Sequence, residues 1–168
     1  MMQVSPARTQ PGFTLLEMLV VLGMVAILSL IALPSYLDRI VRQQIEAALP
    51  LADVAKRPLA AAWALTQVFP VDNAATGLPP ADRIVGNQVS AVAVQDGAIH
   101  LTFGNTVATS LKGKILTIRP AVVEDAPIVP VAWVCGNASV PDRMTVKGDN
   151  RTSVPNVFLP LECAARKR

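Results

Sequence analysis

The chain has 168 residues, of which 52% are hydrophobic, and its formal net charge is +3 at pH 7. This weak positive excess does not by itself indicate a nucleic-acid-binding protein. If the first third of the chain forms an extended helix, about 115 residues remain, which is enough for one domain with a modest core.

An apolar run extends from Phe13 to Leu33, and Glu17 is the one charged residue within it. At about 1.5 Å per residue, a helix of this length reaches roughly 31 Å, which matches the hydrocarbon core of a bilayer. The run therefore predicts a membrane-spanning helix. A carboxylate inside such a helix costs several kcal/mol, although less near its end, so we expect Glu17 to have a function.

A short polar segment, residues 1–12, precedes the apolar run. A secretory signal has its cleavage site after the apolar region, so cleavage removes that region. Here the order is reversed, and the mature chain would keep its apolar helix. The sequence from Gly12 through Phe13-Thr14-Leu15-Leu16-Glu17, the long apolar helix and Pro34-Ser35-Tyr36 at its end together resemble the class III leader and N-terminal helix of type IV prepilins.

This resemblance implies that a prepilin peptidase cuts after Gly12, on the cytoplasmic side, and methylates the new amino terminus at Phe13. Residues 1–12 would be the cleaved leader, 13–35 the hydrophobic transmembrane and assembly helix, and 36–168 the globular head. In a fibre of this family the apolar helices bundle in the core, where a buried carboxylate needs a partner or takes up a proton. The candidate partner of Glu17 is the new amino group of Phe13, either in the same helix or, as in the family's assembly model, in an adjacent subunit.

Beyond Pro34 the helical pattern becomes amphipathic. Apolar residues recur at steps of three or four, at Leu37, Ile40, Val41, Ile45, Ala48, Ala52, Ala55, Leu59, Ala62 and Trp63. This stripe predicts a second half of the helix, ending near Leu65, on which a head can dock. Pro34, Pro50 and Pro58 each remove a helical hydrogen bond, so they predict bends or local breaks in a curved spine.

Residues 66–88 are rich in Pro and Gly and predict a long loop. Four strand-like runs follow, at 89–95, 98–103, 115–119 and 129–135. Asp96-Gly97 between the first two is a hairpin signal, because both turn positions need a positive φ. The expected fold class is α+β, with a long helical spine packed against a four-stranded antiparallel sheet.

Cys135 and Cys163 are the two cysteines of the chain, and both lie beyond the apolar helix. In an exported domain such a pair predicts a disulfide, and two separate buried thiols are the alternative. Without a histidine nearby they do not form a zinc site. The sequence between them lacks a clean periodicity and predicts an irregular C-terminal loop clipped to the last strand.

The resemblance continues through the head. Three stretches, around 97–105, 113–117 and 133–136, look like the strand motifs of type IVa major pilins, and the segment from Cys135 to Cys163 is similar to their disulfide-bounded loop. Two features depart from the family pattern. Pro50 and Pro58 interrupt the helix, and a tyrosine-rich helix exit is reduced to Tyr36.

Catalysis finds little support in the sequence. The single histidine, His100, lies between apolar neighbours in the second predicted strand, where a hydrogen-bonded structural residue is the favoured interpretation. The sequence contains no Gly-x-Ser-x-Gly elbow, His-Glu-x-x-His pair, phosphate-binding loop or EF-hand pattern. We therefore expect neither an enzyme nor a bound cofactor or metal.

The resemblance implies a structural subunit that polymerises into a type IV pilus used for adhesion, twitching motility, DNA uptake or biofilm formation. The implied partners are further copies of the chain, prepilin peptidase, an inner-membrane assembly machinery and membrane lipid before assembly, with DNA and surface ligands as further candidates. The expected location is the inner membrane of a Gram-negative-type bacterium and then the extracellular pilus.

Three alternatives stay open. The chain can be a minor pilin, a type II secretion pseudopilin, or, in a different class, a membrane-tethered binding protein that does not polymerise. The basic tail, Arg166-Lys167-Arg168, is interpreted either as a solvated chain end or as a contact for DNA or another polyanion.

Overall fold

A computed structural model describes residues 12–124 and 126–165, and within the first helix it leaves the side chains of residues 31–35 undescribed. Residues 1–11 of the expected leader and the basic tail Arg166-Lys167-Arg168 therefore lie outside the described residues. By its internal contacts the chain divides into two compact units, one ending at Leu37 and the other beginning at Asp38. Each unit is described by itself.

The elements follow one another in the order helix, then sheet. They are α1 (Leu15–Ala48), a 3-10 helix (Leu49–Ala52), α2 (Asp53–Thr66), a second 3-10 helix (Ala81–Arg83), β1 (Val89–Gln95), β2 (Ala98–Phe103), β3 (Ile115–Val122), β4 (Ala132–Cys135) and β5 (Thr145–Val146). An α+β fold with an antiparallel sheet is confirmed.

Prolines affect the helical half of the head unequally. Pro50 lies in the first turn of the 3-10 helix, where the chain leaves α1 and enters α2 three residues later. Because Pro50 has no N–H, it cannot continue the hydrogen-bond ladder of α1, and a local break there agrees with the prediction. Pro58 lies inside α2, and the helix continues to Thr66 without a break, so a bend at this position stays a prediction.

The buried residues of the helical half all belong to the predicted apolar stripe, although not every member of that stripe is buried. Its fully covered members are Val41, Ile45, Ala48, Ala52, Ala55, Leu59 and Trp63. They share one hydrophobic core with the apolar residues of the strands, among them Val92, Ile99, Leu101, Phe103, Leu116 and Ile118. Trp133 is partly buried and packs against this core.

Neighbouring strands of the sheet are antiparallel, in the order β1-β2-β3-β4. The predicted hairpin connects β1 to β2, with Asp96 at φ 48° and Gly97 at φ 83°. A side chain at Gly97 would also collide with Phe69, because its Cβ would lie 2.7 Å from two atoms of that side chain. The turn therefore requires glycine for its backbone conformation and for its packing.

β3 is the central strand, and it is longer than the predicted 115–119. It continues through Pro120 to Val122, beyond Ile118, where its pairing with β2 ends. The last two residues of β3, Ala121 and Val122, pair with β5. This short strand lies in the C-terminal segment, which the sequence predicted to be irregular throughout.

The C-terminal segment completes both edges of β3. Lys147 N donates to Pro120 O (2.9 Å), beside β2. Ser153 N then donates to Ile115 O (2.8 Å), on the edge that β4 occupies further along the strand. The segment between these contacts therefore passes over the sheet face opposite the helices. The predicted disulfide joins Cys135 to Cys163, with 4.5 Å between their Cα atoms, and fixes the end of this segment beside β4.

Candidate functional site

The predicted processing point is accessible in the first unit. A Cβ built on Gly12 meets no atom within 4 Å, and 75% of the Phe13 side chain is exposed. In the uncleaved chain the nitrogen of Phe13 is a peptide nitrogen. Cleavage after Gly12, methylation of Phe13 and the ion pair between its amino group and Glu17 therefore stay predictions.

Glu17 lies in the first turn of α1, where Thr14 caps the helix. Thr14 Oγ1 accepts a hydrogen bond from Glu17 N (3.2 Å), and Thr14 O accepts one from Met18 N (3.2 Å). This places threonine at the N-cap and Glu17 at the third helical position, the spacing of a capping box. A carboxylate at this end of the helix also interacts favourably with the helix dipole, by about 0.3–1 kcal/mol.

The capping role of Thr14 was missed from the sequence, although the Ser/Thr-x-x-Glu pattern before an apolar run is its signal. Glu17 itself is exposed and makes no ion pair with another described residue. Its carboxylate is therefore free to meet a group supplied by another molecule or by processing of the chain.

The rest of this helix presents apolar side chains on all sides. Every described residue from Gly12 to Leu30 is exposed, including Leu15 at 79%, Leu22 at 60% and Leu30 at 73%. A Cβ at Gly23 meets nothing within 4 Å, and the hydroxyl of Ser29 is satisfied by its own helix at Val25 O (2.7 Å). Among the described residues of this unit, no other element covers the apolar surface.

Within the part of the chain that the structure describes, no helix combines the length and the hydropathy needed to cross a membrane.

In the head, His100 has the structural role that the sequence favoured, but only one of its ring nitrogens has a partner. Nδ1 lies 3.0 Å from Thr117 Oγ1, and no described group bonds to Nε2. Burial, and next the positive charge of Arg151, lower the pKa of His100 below its ordinary value, while Asp149 opposes this shift. Among the described residues, the Thr117 hydroxyl is the one group that hydrogen-bonds to the ring, and Thr117 is itself fully buried.

Among residues 12–124 and 126–165, no group of three or more His, Cys, Asp or Glu side chains could hold a metal ion. Both cysteines form the disulfide, so neither is a free thiol.

Asn73 is a structural residue that sequence reasoning did not identify. It lies in the loop before β1 and is only 9% exposed. Its side chain bonds to two main-chain groups at the outer edge of that strand. Nδ2 donates to Val92 O (3.0 Å), and Oδ1 accepts from Val94 N (2.6 Å). One amide thus replaces the neighbouring strand that β1 lacks.

Two family models match the chain. Residues 41–164 match the model described as pilin (bacterial filament), and residues 7–33 match the prokaryotic N-terminal methylation motif. The second match covers Gly12, Phe13 and Glu17, and the first covers almost the whole head.

Individual relatives are similar over most of their length. The type IV major pilin protein PilE of Neisseria gonorrhoeae is 32% identical over 145 residues, which are 86% of this chain and 83% of that protein. A fimbrial protein of Neisseria meningitidis is 31% identical over 163 residues (92% and 94%), and the fimbrial protein EcpC of Eikenella corrodens is 33% identical over 135 residues (77% and 84%). The chain therefore belongs to the pilin family of bacterial filament proteins, a family of structural subunits, and carries the N-terminal methylation motif.

Proposed function

We propose that this chain polymerises, as the major subunit, into a type IV pilus. The observation that carries the proposal is the apolar surface of α1 from Phe13 to Leu30, which is exposed on every side and interrupted by a single carboxylate. Burying one large apolar side chain contributes about 1.5–3 kcal/mol, so a surface of this size favours association strongly. Copies of the same helix offer a suitable cover.

Membrane lipid is the proposed cover before assembly. The apolar run from Phe13 to Leu33 supports this, because its length as a helix, roughly 31 Å, equals the thickness of the hydrocarbon core. The helix then passes from lipid to a bundle of sister helices in the inner membrane. In both environments its apolar side chains stay out of water.

Glu17 is the proposed register-setting group during this transfer. Inside a helix bundle a carboxylate without a partner is costly. Cleavage after Gly12 by prepilin peptidase creates an amino group at Phe13, one helical turn away in the same chain or within reach in an adjacent one. This pairing explains why processing must precede polymerisation, since an uncleaved chain has no charge at that position.

The family and its named relatives support the remaining parts of the proposal. They are major pilins and fimbrial proteins of Gram-negative bacteria. We therefore assign the assembled subunit to an extracellular pilus and its partners to an inner-membrane assembly machinery. Adhesion, twitching motility, DNA uptake and biofilm formation are the candidate uses of the fibre.

The test compares Glu17→Ala and Glu17→Gln with Ser29→Ala, a control in the same helix whose hydroxyl bonds only to its own backbone. Filaments are sheared from cells, the subunit is quantified in the sheared and cell fractions, and its N-terminus is determined by mass spectrometry. We expect both Glu17 variants to be processed at Gly12 but to enter filaments poorly, and Ser29→Ala to assemble normally. Normal incorporation of both Glu17 variants would refute the register-setting role.

The same fractions separate the alternatives. A major subunit dominates the sheared filaments, whereas a minor pilin or a pseudopilin is scarce in them. A tethered binding protein stays cell-associated as single molecules and is indifferent to Glu17. A native chain that keeps residues 1–12 and is found only as single molecules would refute the proposed function.

A further inference from the structure

The C-terminal segment crosses the outer sheet face beside a buried histidine, and several hydrogen bonds to β3 hold it there. Thr117 Oγ1 lies 3.0 Å from His100 Nδ1 and also accepts a hydrogen bond from Arg151 N (3.0 Å). The next residue of the segment bonds to the same threonine, since Thr117 N donates to Thr152 Oγ1 (3.1 Å). One Thr117 side chain thus connects the imidazole on β2 to the segment that covers it.

The surroundings of His100 suit a neutral ring. The residue is 5% exposed, and its Nε2 has no hydrogen-bond partner among the described residues. A protonated ring would carry a charge and an unbonded Nε2–H in this dry position, which is costly. If the segment lifted away, water would solvate both ring nitrogens.

The charged groups around the ring do not remove this cost. On the covering segment, Arg151 disfavours a second positive charge and Asp149 favours it, and burial outweighs both. On β3, Arg119 lies two residues after Thr117 and hence on the same face, and its Nε is also buried without a partner. The facing residue of β1, Ala93, is uncharged.

We propose that the His100–Thr117 pair is a pH-sensitive latch that holds residues 149–153 against the sheet and releases them on acidification. The disulfide at Cys163 and the pairing of β5 keep the released segment attached at both ends. The latch is independent of the proposed polymerisation, because it needs only the head.

The sign and size of the effect follow from linkage. In the open state the ring has its ordinary pKa of 6.5, and in the closed state its pKa is lower. The open state therefore binds more protons, and the closed state loses stability as the pH falls below 6.5. Between these two pKa values the opening constant rises about tenfold per pH unit.

The experiment is hydrogen–deuterium exchange of the full, untagged chain in detergent micelles at pH 7.5 and 5.5. Exchange is corrected for the intrinsic rate at each pH. We expect the opening constant of peptides covering 149–153 to rise at the lower pH, by at most about tenfold. Peptides covering β1 are the internal control and should show little change.

The variant His100→Asn keeps a polar group near Thr117 but does not titrate in this range. Its segment should open to the same extent at both pH values. Because the chain has a single histidine, an NMR titration of the wild-type imidazole gives a second readout that does not depend on a variant folding. A pKa at or above 6.5, a pH-independent opening of 149–153, or an equal pH response in His100→Asn would each overturn the latch.

Discussion

Replacing Asn73 with alanine tests whether a single side chain closes the edge of the sheet. Its amide makes three hydrogen bonds to main-chain atoms, of which two bond the outer edge of β1 and the third joins Nδ2 to Pro79 O (2.9 Å). The two strand residues concerned, Val92 and Val94, are 0% and 4% exposed, so water cannot easily replace the lost bonds. The substitution leaves a buried N–H and a buried C=O without partners.

The expected loss is about 3 kcal/mol, since each hydrogen bond contributes about 0.5–1.5 kcal/mol and an unpaired buried group adds a penalty of its own. In a domain of this size that corresponds to a melting temperature lower by about 10 °C. Thermal unfolding of the full chain in a non-denaturing detergent, followed by circular dichroism, measures it. The uncovered edge should also make the variant more prone to aggregate.

Asn87→Ala is the matched control, because Asn87 lies in the same loop, is exposed, and makes no side-chain hydrogen bond with a described residue. Its effect should stay within about 0.5 kcal/mol. If Asn73→Ala were no more destabilising than Asn87→Ala, the view that this amide substitutes for a missing strand would be wrong.

Three further predictions concern the same head and the same unfolding measurement. Removing the disulfide with Cys135→Ser and Cys163→Ser opens a loop of sequence separation 28 and should lower stability by about 3.5 kcal/mol, and a reductant should then have no further effect. Leu59→Ala removes a 0% exposed side chain and should cost about 3 kcal/mol, whereas Leu65→Ala, at an 85% exposed position of the same helix, should cost less than about 0.5 kcal/mol. Gly97→Ala introduces strain at φ +83° and a collision with the packed ring beneath, so a loss of about 2 kcal/mol is expected, and an unchanged melting temperature would contradict that geometry.

Local sequence signals predicted the elements that depend on neighbouring residues. The stripe from Val41 to Trp63 is buried as its spacing indicated, because a helical period places every third or fourth residue on one face. The bounds of β1 and β2 were predicted correctly, since Asp96-Gly97 fixes the turn and the register follows from it. The disulfide was also anticipated, because an exported domain with two cysteines favours pairing.

Features that depend on distant partners were not predicted. β5 has only two residues and forms because Ala121 and Val122 offer a free edge. β3 continues through Pro120 to Val122, where it pairs with β4 and β5, and no local pattern indicates that extension. The role of Asn73 depends on residues 19 and 21 positions later, and an isolated asparagine in a loop carries no signal of that kind.

For the candidate site, the sequence identified Glu17 as a candidate residue but did not identify its contacts. Glu17 was identified because a carboxylate in an apolar helix is costly, and its position in the first turn agrees with that reasoning. The contact between Thr14 Oγ1 and Glu17 N is local and could have been predicted from the capping pattern. The proposed partner of the carboxylate, the amino group of Phe13, stays a prediction, because no described residue pairs with Glu17.

The two units of the chain differ in whether their apolar side chains are buried within the chain. This difference links the sequence to the proposed function. From Val41 onward the apolar stripe is covered by strands of the same chain, so the head needs no partner to fold. From Phe13 to Leu30 the apolar side chains are exposed on all sides, and this surface has to be covered by other molecules. A charge in that stretch is useful only if the cover supplies a counter-charge, which lipid tails do not and a processed sister helix does. We therefore propose that Glu17 gives the assembled state an advantage over a lipid-bound state that apolar contacts alone would not provide.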